Sequence, residues 1–495
     1  MCRDAQMPAV ARKAKAGPSG LNAEMPALAR GPLARWCILP QLYIHPVTGL
    51  FMPPMPATLT EGSVPRQLRS LALPMVWGLL ATMSFNVVDT FFVAQLGNAP
   101  LAAMSFTFPV VMLLTSMGIG LGAGTSSAVA RGVGAGDSYR AQRLATDAVT
   151  LTLLLSVTVC LVGWLTINPL FTLLGASAEL LPLIHQYMSI WYISAPCLLV
   201  PMVALASLRA MGLSQIQGTL MGVAALFNAA LDPILIFGLL GAPELGLAGA
   251  AWATLITRSL TLIVALYILR VRVELLVNPL APWARLLASW RSVVHVGLPA
   301  MAANMIIPLA SAIVVMMVAR YGNDAVAGLG IAVRVEPVAL IVFYALSGVI
   351  GPFFGQNHAA GKQARLAEAQ RILLVFCVGF GLLLAAILWF LGPFIAGLFT
   401  DHAEVAAVAV RYLAIVPISY GAYGLVMSCN AAFNGLGTPW PAMLLSLCRV
   451  LVLFLPLAGV LQFLWGLDGL FAASAITNVL VGAWAWRWLR RHLEQ

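Results

Sequence analysis

Charge is scarce in this sequence: Asp, Glu, Lys and Arg supply 9% of its 495 residues, against about a quarter in a soluble domain. Only three lysines occur (Lys13, Lys15 and Lys362), so nearly all the positive charge is arginine, a bias that points to a GC-rich bacterial source. The formal net charge of +10 does not imply a nucleic-acid partner, because the basic residues are scattered through short joints and the two ends instead of forming a stripe. The seven cysteines form no CxxC pair and no regular spacing, which speaks against a disulfide framework and against zinc. The six histidines are equally dispersed, so no metal or resident cofactor is expected. Nor is there the cluster of His or Asp at an interface that a membrane-embedded enzyme would need; the chain reads as a non-enzyme.

Apolar residues are what the sequence has instead, 61% of the total with a mean hydropathy of +0.94. Such a chain is an all-α polytopic membrane protein, since only helices or closed barrels satisfy their backbone in lipid. Residues 1–63 stand apart, rich in Pro and basic residues without helical periodicity. They read as a disordered N-terminal extension or, preferably, as a mis-assigned start with translation beginning at Met52 or Met55. About twelve apolar runs of spanning length follow, at 71–95, 101–128, 144–168, 184–208, 214–240, 247–270, 293–319, 326–354, 368–392, 408–432, 438–463 and 467–489. The joints after the second, sixth and eighth carry Arg131, Arg140, Arg143, Arg272, Arg285, Arg291, Lys362 and Arg365. Joints of the other parity carry Glu179, Glu244, Asp324, Asp401, Glu404 and Asp468. The basic set is therefore cytoplasmic, with both termini inside.

The chain repeats itself at an offset of 225 residues. Pro74 matches Pro299, Gly97 matches Gly322, Gly136 matches Gly361 and Arg140 matches Arg365; Tyr187, Ser194 and Gly212 match Tyr412, Ser419 and Gly437. Two six-helix bundles are expected, 64–285 and 286–495, related by an axis along the membrane normal.

Two acids lie well inside the runs of the first half. Asp89 lies in the first, and Asp232 lies in the fifth within Asn228-Ala229-Ala230-Leu231-Asp232-Pro233. An acid in mid-span costs about 2.5–3.5 kcal/mol on insertion scales and is functional by default. Asn228 and Asp232 share a helical face, and Pro233 withdraws a backbone donor beside them, loosening or kinking the helix. Counting from the outer ends, Asp89, Asp232 and Thr254 sit roughly 10 Å deep, with Asn228 a turn deeper. Burial and mutual repulsion favour a carboxylate that carries a proton at neutral pH; the same oxygens could coordinate Na⁺. The repeat partners of Asp89, Asn228 and Asp232 are Val314, Leu453 and Leu457, so the site belongs to one half. In the other half Arg334, Glu336 and Arg449 read as a polar network bracing the bundle, with Arg449 a partner for Glu336. The glycines 118, 120, 122 and 124 match no phosphate-loop pattern and read as close helix contacts.

Several stretches are similar to the multidrug and toxic compound extrusion (MATE) transporters over about residues 65–490. They are Val88-Asp89-Thr90-Phe91-Phe92-Val93-Ala94-Gln95-Leu96-Gly97, Leu208-Arg209-Ala210-Met211-Gly212, Asn228 to Pro233 with Gly246-Leu247-Ala248-Gly249-Ala250-Ala251, and Asn434-Gly435-Leu436-Gly437. The resemblance implies twelve helices in two bundles forming a V-shaped cleft, and export of organic, often cationic compounds against H⁺ or Na⁺. It places the ion site on Asp89, Asn228, Asp232 and, less directly, Thr254. Spans seven and ten lack the acids some members use there (Asn304 and Tyr420 are among the polar residues present), which resembles the DNA-damage-inducible F branch. The expected partners are a small-molecule substrate and the lipid bilayer of a bacterial inner membrane, with the protein a monomer. A flippase for lipid-linked saccharides is the alternative.

Overall fold

The computed structural model describes residues 58–494. Among these every regular element is helical. The first half contains α1 (Val64–Ala94), α2 (Asn98–Gly134), α3 (Ser138–Leu165) and a short α4 (Ile167–Leu173). It continues with α5 (Leu181–Ile193), α6 (Ala195–Ala210), α7 (Ser214–Phe237) and α8 (Leu247–Tyr267). The second half contains α9 (Trp283–Val318), α10 (Asn323–Ala339), α11 (Ile341–Ala359) and α12 (Gln363–Gly397). It ends with α13 (Ala403–Ile415), α14 (Tyr420–Leu436), α15 (Pro439–Leu447) and α16 (Leu455–Glu494).

Among the described residues nine helices are long and apolar enough to cross a bilayer, and two bent pairs, α5 with α6 (41°) and α10 with α11 (45°), bring the number to eleven. The continuous helix Pro439–Glu494 is 56 residues long, too long for one crossing. Its backbone leaves helical geometry at Trp465 and Gly466, and the break yields the twelfth segment. The helices outrun the apolar runs at several ends, as at Val64 and Trp283, because a helix persists into the polar layer where apolar composition has already stopped.

The two halves are built alike. Gly97 and Gly322, one repeat apart, cap α2 and α10 with nearly the same backbone angles, φ 107°, ψ −178° and φ 99°, ψ 174°. Beyond the Gly238–Gly246 loop the register shifts, and Gly246 (φ 54°, ψ −130°) pairs with Gly466 (φ 58°, ψ −136°). The break inside α16 is thus the counterpart of the α7–α8 loop, shortened until the two spans run into one helix. Both glycines have positive φ, which a side chain would strain.

Glycines also set how closely helices approach. A Cβ on Gly120 or Gly124 would meet the α9 backbone at Gly297 and Val293, while Gly118 and Gly122 face Met202 and Ala206 on α6. The four glycines therefore serve two contacts, as close-packing residues. The 285/286 boundary drawn from sequence falls inside α9, and α9 packs on α2 around Val293 and Gly297, so the two halves interlock along this helix.

At the end carrying the basic joints the halves are tied by hydrogen bonds. Gln356 Nε2 donates to the Ala210 carbonyl (2.7 Å), and Ser127 donates to the Asn434 carbonyl. Residues 58–62 form a strap over this seam. Thr58 Oγ1 donates to the Met211 carbonyl (3.1 Å) and Leu59 N to Gln356 Oε1 (3.1 Å). Asn357 Nδ2 donates to the Leu59 carbonyl (3.0 Å), and Arg365 reaches Gln67 Oε1 (2.7 Å) and Asn357 Oδ1 (2.9 Å). Of the stretch 1–63, expected from sequence to be a disordered extension or a mis-assigned start, residues 58–63 are described and 58–62 make these contacts; residues 1–57 lie outside the described residues. Gln356→Leu leaves a buried donor and a buried acceptor unpaired, at about 1–3 kcal/mol each. We expect backbone hydrogen exchange at 58–62 to speed up in that variant; an unchanged rate would mean the strap is held by other contacts.

Candidate functional site

The first-half acids are brought together by the packing of α1 on α7. A Cβ on Gly78 would come within 3.0 Å of the Gly218 Cα, and one on Gly218 within 2.1 Å of the Pro74 carbonyl. Ser214 Oγ donates to the Leu71 carbonyl (2.9 Å) just below. From this crossing both helices run the same way, and at 1.5 Å per residue Asp89 and Asn228 rise about 16 and 15 Å, with Asp232 one turn further. All three side chains point inward: Asp89 is 6% exposed, Asn228 2% and Asp232 0%.

Asn228 Nδ2 donates to Asp232 Oδ1 at 2.9 Å, the contact that four-residue spacing on a helix allows. Asp232 Oδ2 and Asp89 Oδ1 are buried with no hydrogen-bond partner among the described residues. The two acids interact electrostatically across the α1–α7 interface. Orphaned buried carboxylate oxygens are rare in proteins and call for an explanation; a pair of them suits a proton or a small cation, which supplies the missing positive partner. No group of three or more His, Cys, Asp or Glu among the described residues is arranged to hold a metal ion.

Thr254 is buried on α8 (5% exposed). A Cβ on Gly249 would lie 2.3 Å from the Leu235 carbonyl, so α8 presses close on α7. Thr254 donates no hydrogen bond to either acid. Pro233 lies within α7, and the helix runs on through it to Phe237. What Pro233 changes is local: it removes the donor to the Ala229 carbonyl, within a turn of both Asn228 and Asp232.

Sequence reasoning passed over two neighbours. Tyr187 on α5 is buried and interacts electrostatically with Asp89 and Asp232. Arg258 on α8, one turn beyond Thr254, interacts with Asp89 and Tyr187. Its Nη1 donates to Ser194 Oγ at the α5–α6 bend (2.9 Å), and its guanidinium lies 5.0 Å from the centre of the Trp191 ring. The signal was present: Arg258 is an arginine well inside an apolar run with no acid on its own helix to answer it.

The second-half residues divide. Tyr412, the repeat partner of Tyr187, donates to Glu336 Oε2 (2.8 Å). Arg449 interacts electrostatically with Glu336, lies 4.6 Å from the centre of the Tyr423 ring, and donates to Asn478 Oδ1 (3.3 Å). Arg334 does not join them; it is exposed and its Nη1 reaches only the Gly330 carbonyl (3.3 Å). Residues two apart on a helix point to different sides, which separates Arg334 from Glu336.

The sequence profile of the MatE family matches twice, over residues 74–234 and 299–460. The starts of the two matches are one repeat apart. A protein of Shewanella oneidensis named a FAD transporter is 38% identical over 86% of this chain and 94% of its own. A probable multidrug resistance protein of Bacillus subtilis, YoeA, is 26% identical over 89% of this chain and 98% of its own. Among solved structures, the Vibrio cholerae MATE transporter VcmN in its bent form superposes with a TM-score of 0.83 at 31% identity, covering 88% of this chain and 98% of that one. One profile on each half, and relatives that run nearly end to end, settle the family: this chain belongs to the MatE family of multi-pass membrane transporters, which carry small compounds.

Proposed function

We propose that the protein is an antiporter that exports small organic compounds in exchange for H⁺ or Na⁺ bound at Asp89 and Asp232. The observation that carries this reading is the pair of buried, unpartnered carboxylate oxygens at Asp89 Oδ1 and Asp232 Oδ2. Asn228 orients Asp232, and Thr254 stands on the adjoining helix as a further oxygen. Binding of a cation neutralises the pair and relieves the repulsion between α1 and α7. The helices repack around the weakened turn at Pro233, and the halves exchange outward- for inward-facing states. In this scheme the strap at residues 58–62 closes the cytoplasmic side, both termini are cytoplasmic, and the protein works as a monomer in the bacterial inner membrane.

Two substrate classes follow from the relatives: drugs, as for proteins named for multidrug resistance, and FAD, as for the 38% identical relative. The second is favoured by that higher identity. The flippase alternative is not favoured, since the matched proteins are named for drugs and FAD. Everted membrane vesicles given an imposed H⁺ or Na⁺ gradient test the reading, with ethidium and FAD as probes. Uptake of at least one probe that follows one of the gradients is expected; uptake indifferent to both would remove the coupling.

A further inference from the structure

We propose that Arg258 is the resident counter-cation of the acid pair and fixes the exchange at one monovalent cation per cycle. This inference rests on the coupling role assigned to Asp89 and Asp232. Arg258 projects from α8 into the first half, where Ser194 Oγ holds one end of the guanidinium and the Trp191 face supports its plane. Among the described residues no carboxylate lies within ion-pair distance of it. The titratable groups that act on it are Tyr187 from α5, Asp89 from α1 and Cys197 from α6. Asp232, from α7, acts on the same Tyr187 and on Asp89.

A charge count gives the consequence. Two ionised carboxylates and one guanidinium leave a single negative charge, which one proton or one Na⁺ cancels. Without the guanidinium the same pair carries two negative charges in a low-dielectric setting, and two cations are needed to neutralise it. Anchoring on Ser194 and Trp191, at the elbow of a bent span, keeps the arginine outside ion-pair distance of Asp89 while it acts on that acid electrostatically. Asp89 Oδ1 is thus left without a hydrogen-bond partner among the described residues and can take an incoming cation.

The second half provides an internal control. Past the shifted loop the repeat offset is 220 residues, aligning Ala253-Thr254-Leu255-Ile256-Thr257-Arg258 with Ala473-Ser474-Ala475-Ile476-Thr477-Asn478. Asn478 Nδ2 donates to Ser419 Oγ (3.0 Å), and Ser419 is the repeat partner of Ser194. The polar contact is thus kept in both halves. An arginine at this position is present only in the half that holds Asp89 and Asp232; where valine and leucine stand in their places, a neutral amide makes the same bond. That amide in turn accepts from Arg449 (3.3 Å), which acts on Glu336 instead.

The test is the accumulation limit of ethidium or FAD, whichever is transported, in proteoliposomes at zero membrane potential and a tenfold gradient of the coupling ion. One-for-one exchange limits accumulation to about tenfold and two-for-one to about a hundredfold. The wild type and Arg258→Lys are expected at about tenfold, Arg258→Met at about a hundredfold. An Arg258→Met limit equal to the wild type overturns the proposal. Should that variant not transport, cation uptake by purified Arg258→Gln, which keeps a donor for Ser194, decides instead. Two protons or two Na⁺ per molecule support the proposal, and one overturns it. Asp232→Asn serves to separate the two ideas: wild-type cation uptake in that variant defeats the coupling role itself, whatever Arg258 does.

Discussion

Asp232→Asn is expected to abolish gradient-driven efflux of ethidium or FAD while leaving the protein folded and in the membrane. The amide matches the acid in size, and its oxygen can still accept the bond that Asn228 Nδ2 now gives to Asp232 Oδ1. What it loses is the negative charge that a proton or Na⁺ answers. Replacing a buried charge by a neutral group of the same shape is often neutral or stabilising, so thermal stability in detergent should hold or rise as transport disappears. That divergence distinguishes a coupling residue from a structural one, for which stability and transport would fall together. Efflux at the wild-type rate would end the assignment. Asp89→Asn should behave in the same way, because its Oδ1 is likewise buried and unpartnered.

Gly218→Val is expected to have the second large effect, through geometry instead of charge. A Cβ at this position would lie 2.1 Å from the Pro74 carbonyl oxygen, a backbone atom with no rotamer to turn away. The α1–α7 crossing must open, and overpacking of this kind costs about 1–3 kcal/mol. The acid pair is placed by that crossing, so cation uptake should be lost along with stability. One turn further along the same helix, Gly222 faces open space, with nothing within 4 Å of its Cβ position. Gly222→Val should therefore change stability by no more than about 0.5 kcal/mol and leave cation uptake intact. Equal effects of the two substitutions on a calorimetric melt and on cation uptake would show that the crossing does not position the site.

Much of this architecture can be read from the sequence because a bilayer imposes a single rule. Each crossing needs an apolar run of fixed length, so the spans stand out. The repeat stands out because matched Gly, Pro and Arg residues in joints are rarely coincidental. Asp89, Asn228 and Asp232 announce themselves as polar groups where lipid or packed apolar helices surround them, and their shared helix face follows from spacing.

Other features depend on contacts between distant segments and leave no local trace. Residues 58–62 look like the end of a Pro-rich tail, yet their backbone finds partners on Gln356, Asn357 and Arg365, some 300 positions away. The α5–α6 bend falls at Ser194, where a single apolar run continues through Pro196 and composition does not change. Arg334 and Glu336 are neighbours in sequence but not in space: Glu336 bonds Tyr412 while Arg334 is left exposed. Arg258 was legible only in part, since an intramembrane arginine demands a partner but its own helix does not say which.

The central claim is that Asp89 and Asp232 exchange a small cation for substrate. It is tested most directly by measuring ethidium or FAD transport in proteoliposomes in two modes, gradient-driven accumulation and equilibrium exchange, for the wild type and Asp232→Asn. The account predicts that the variant retains equilibrium exchange and loses accumulation under either an H⁺ or a Na⁺ gradient. Accumulation by Asp232→Asn to the wild-type level, under the gradient that drives the wild type, would contradict it.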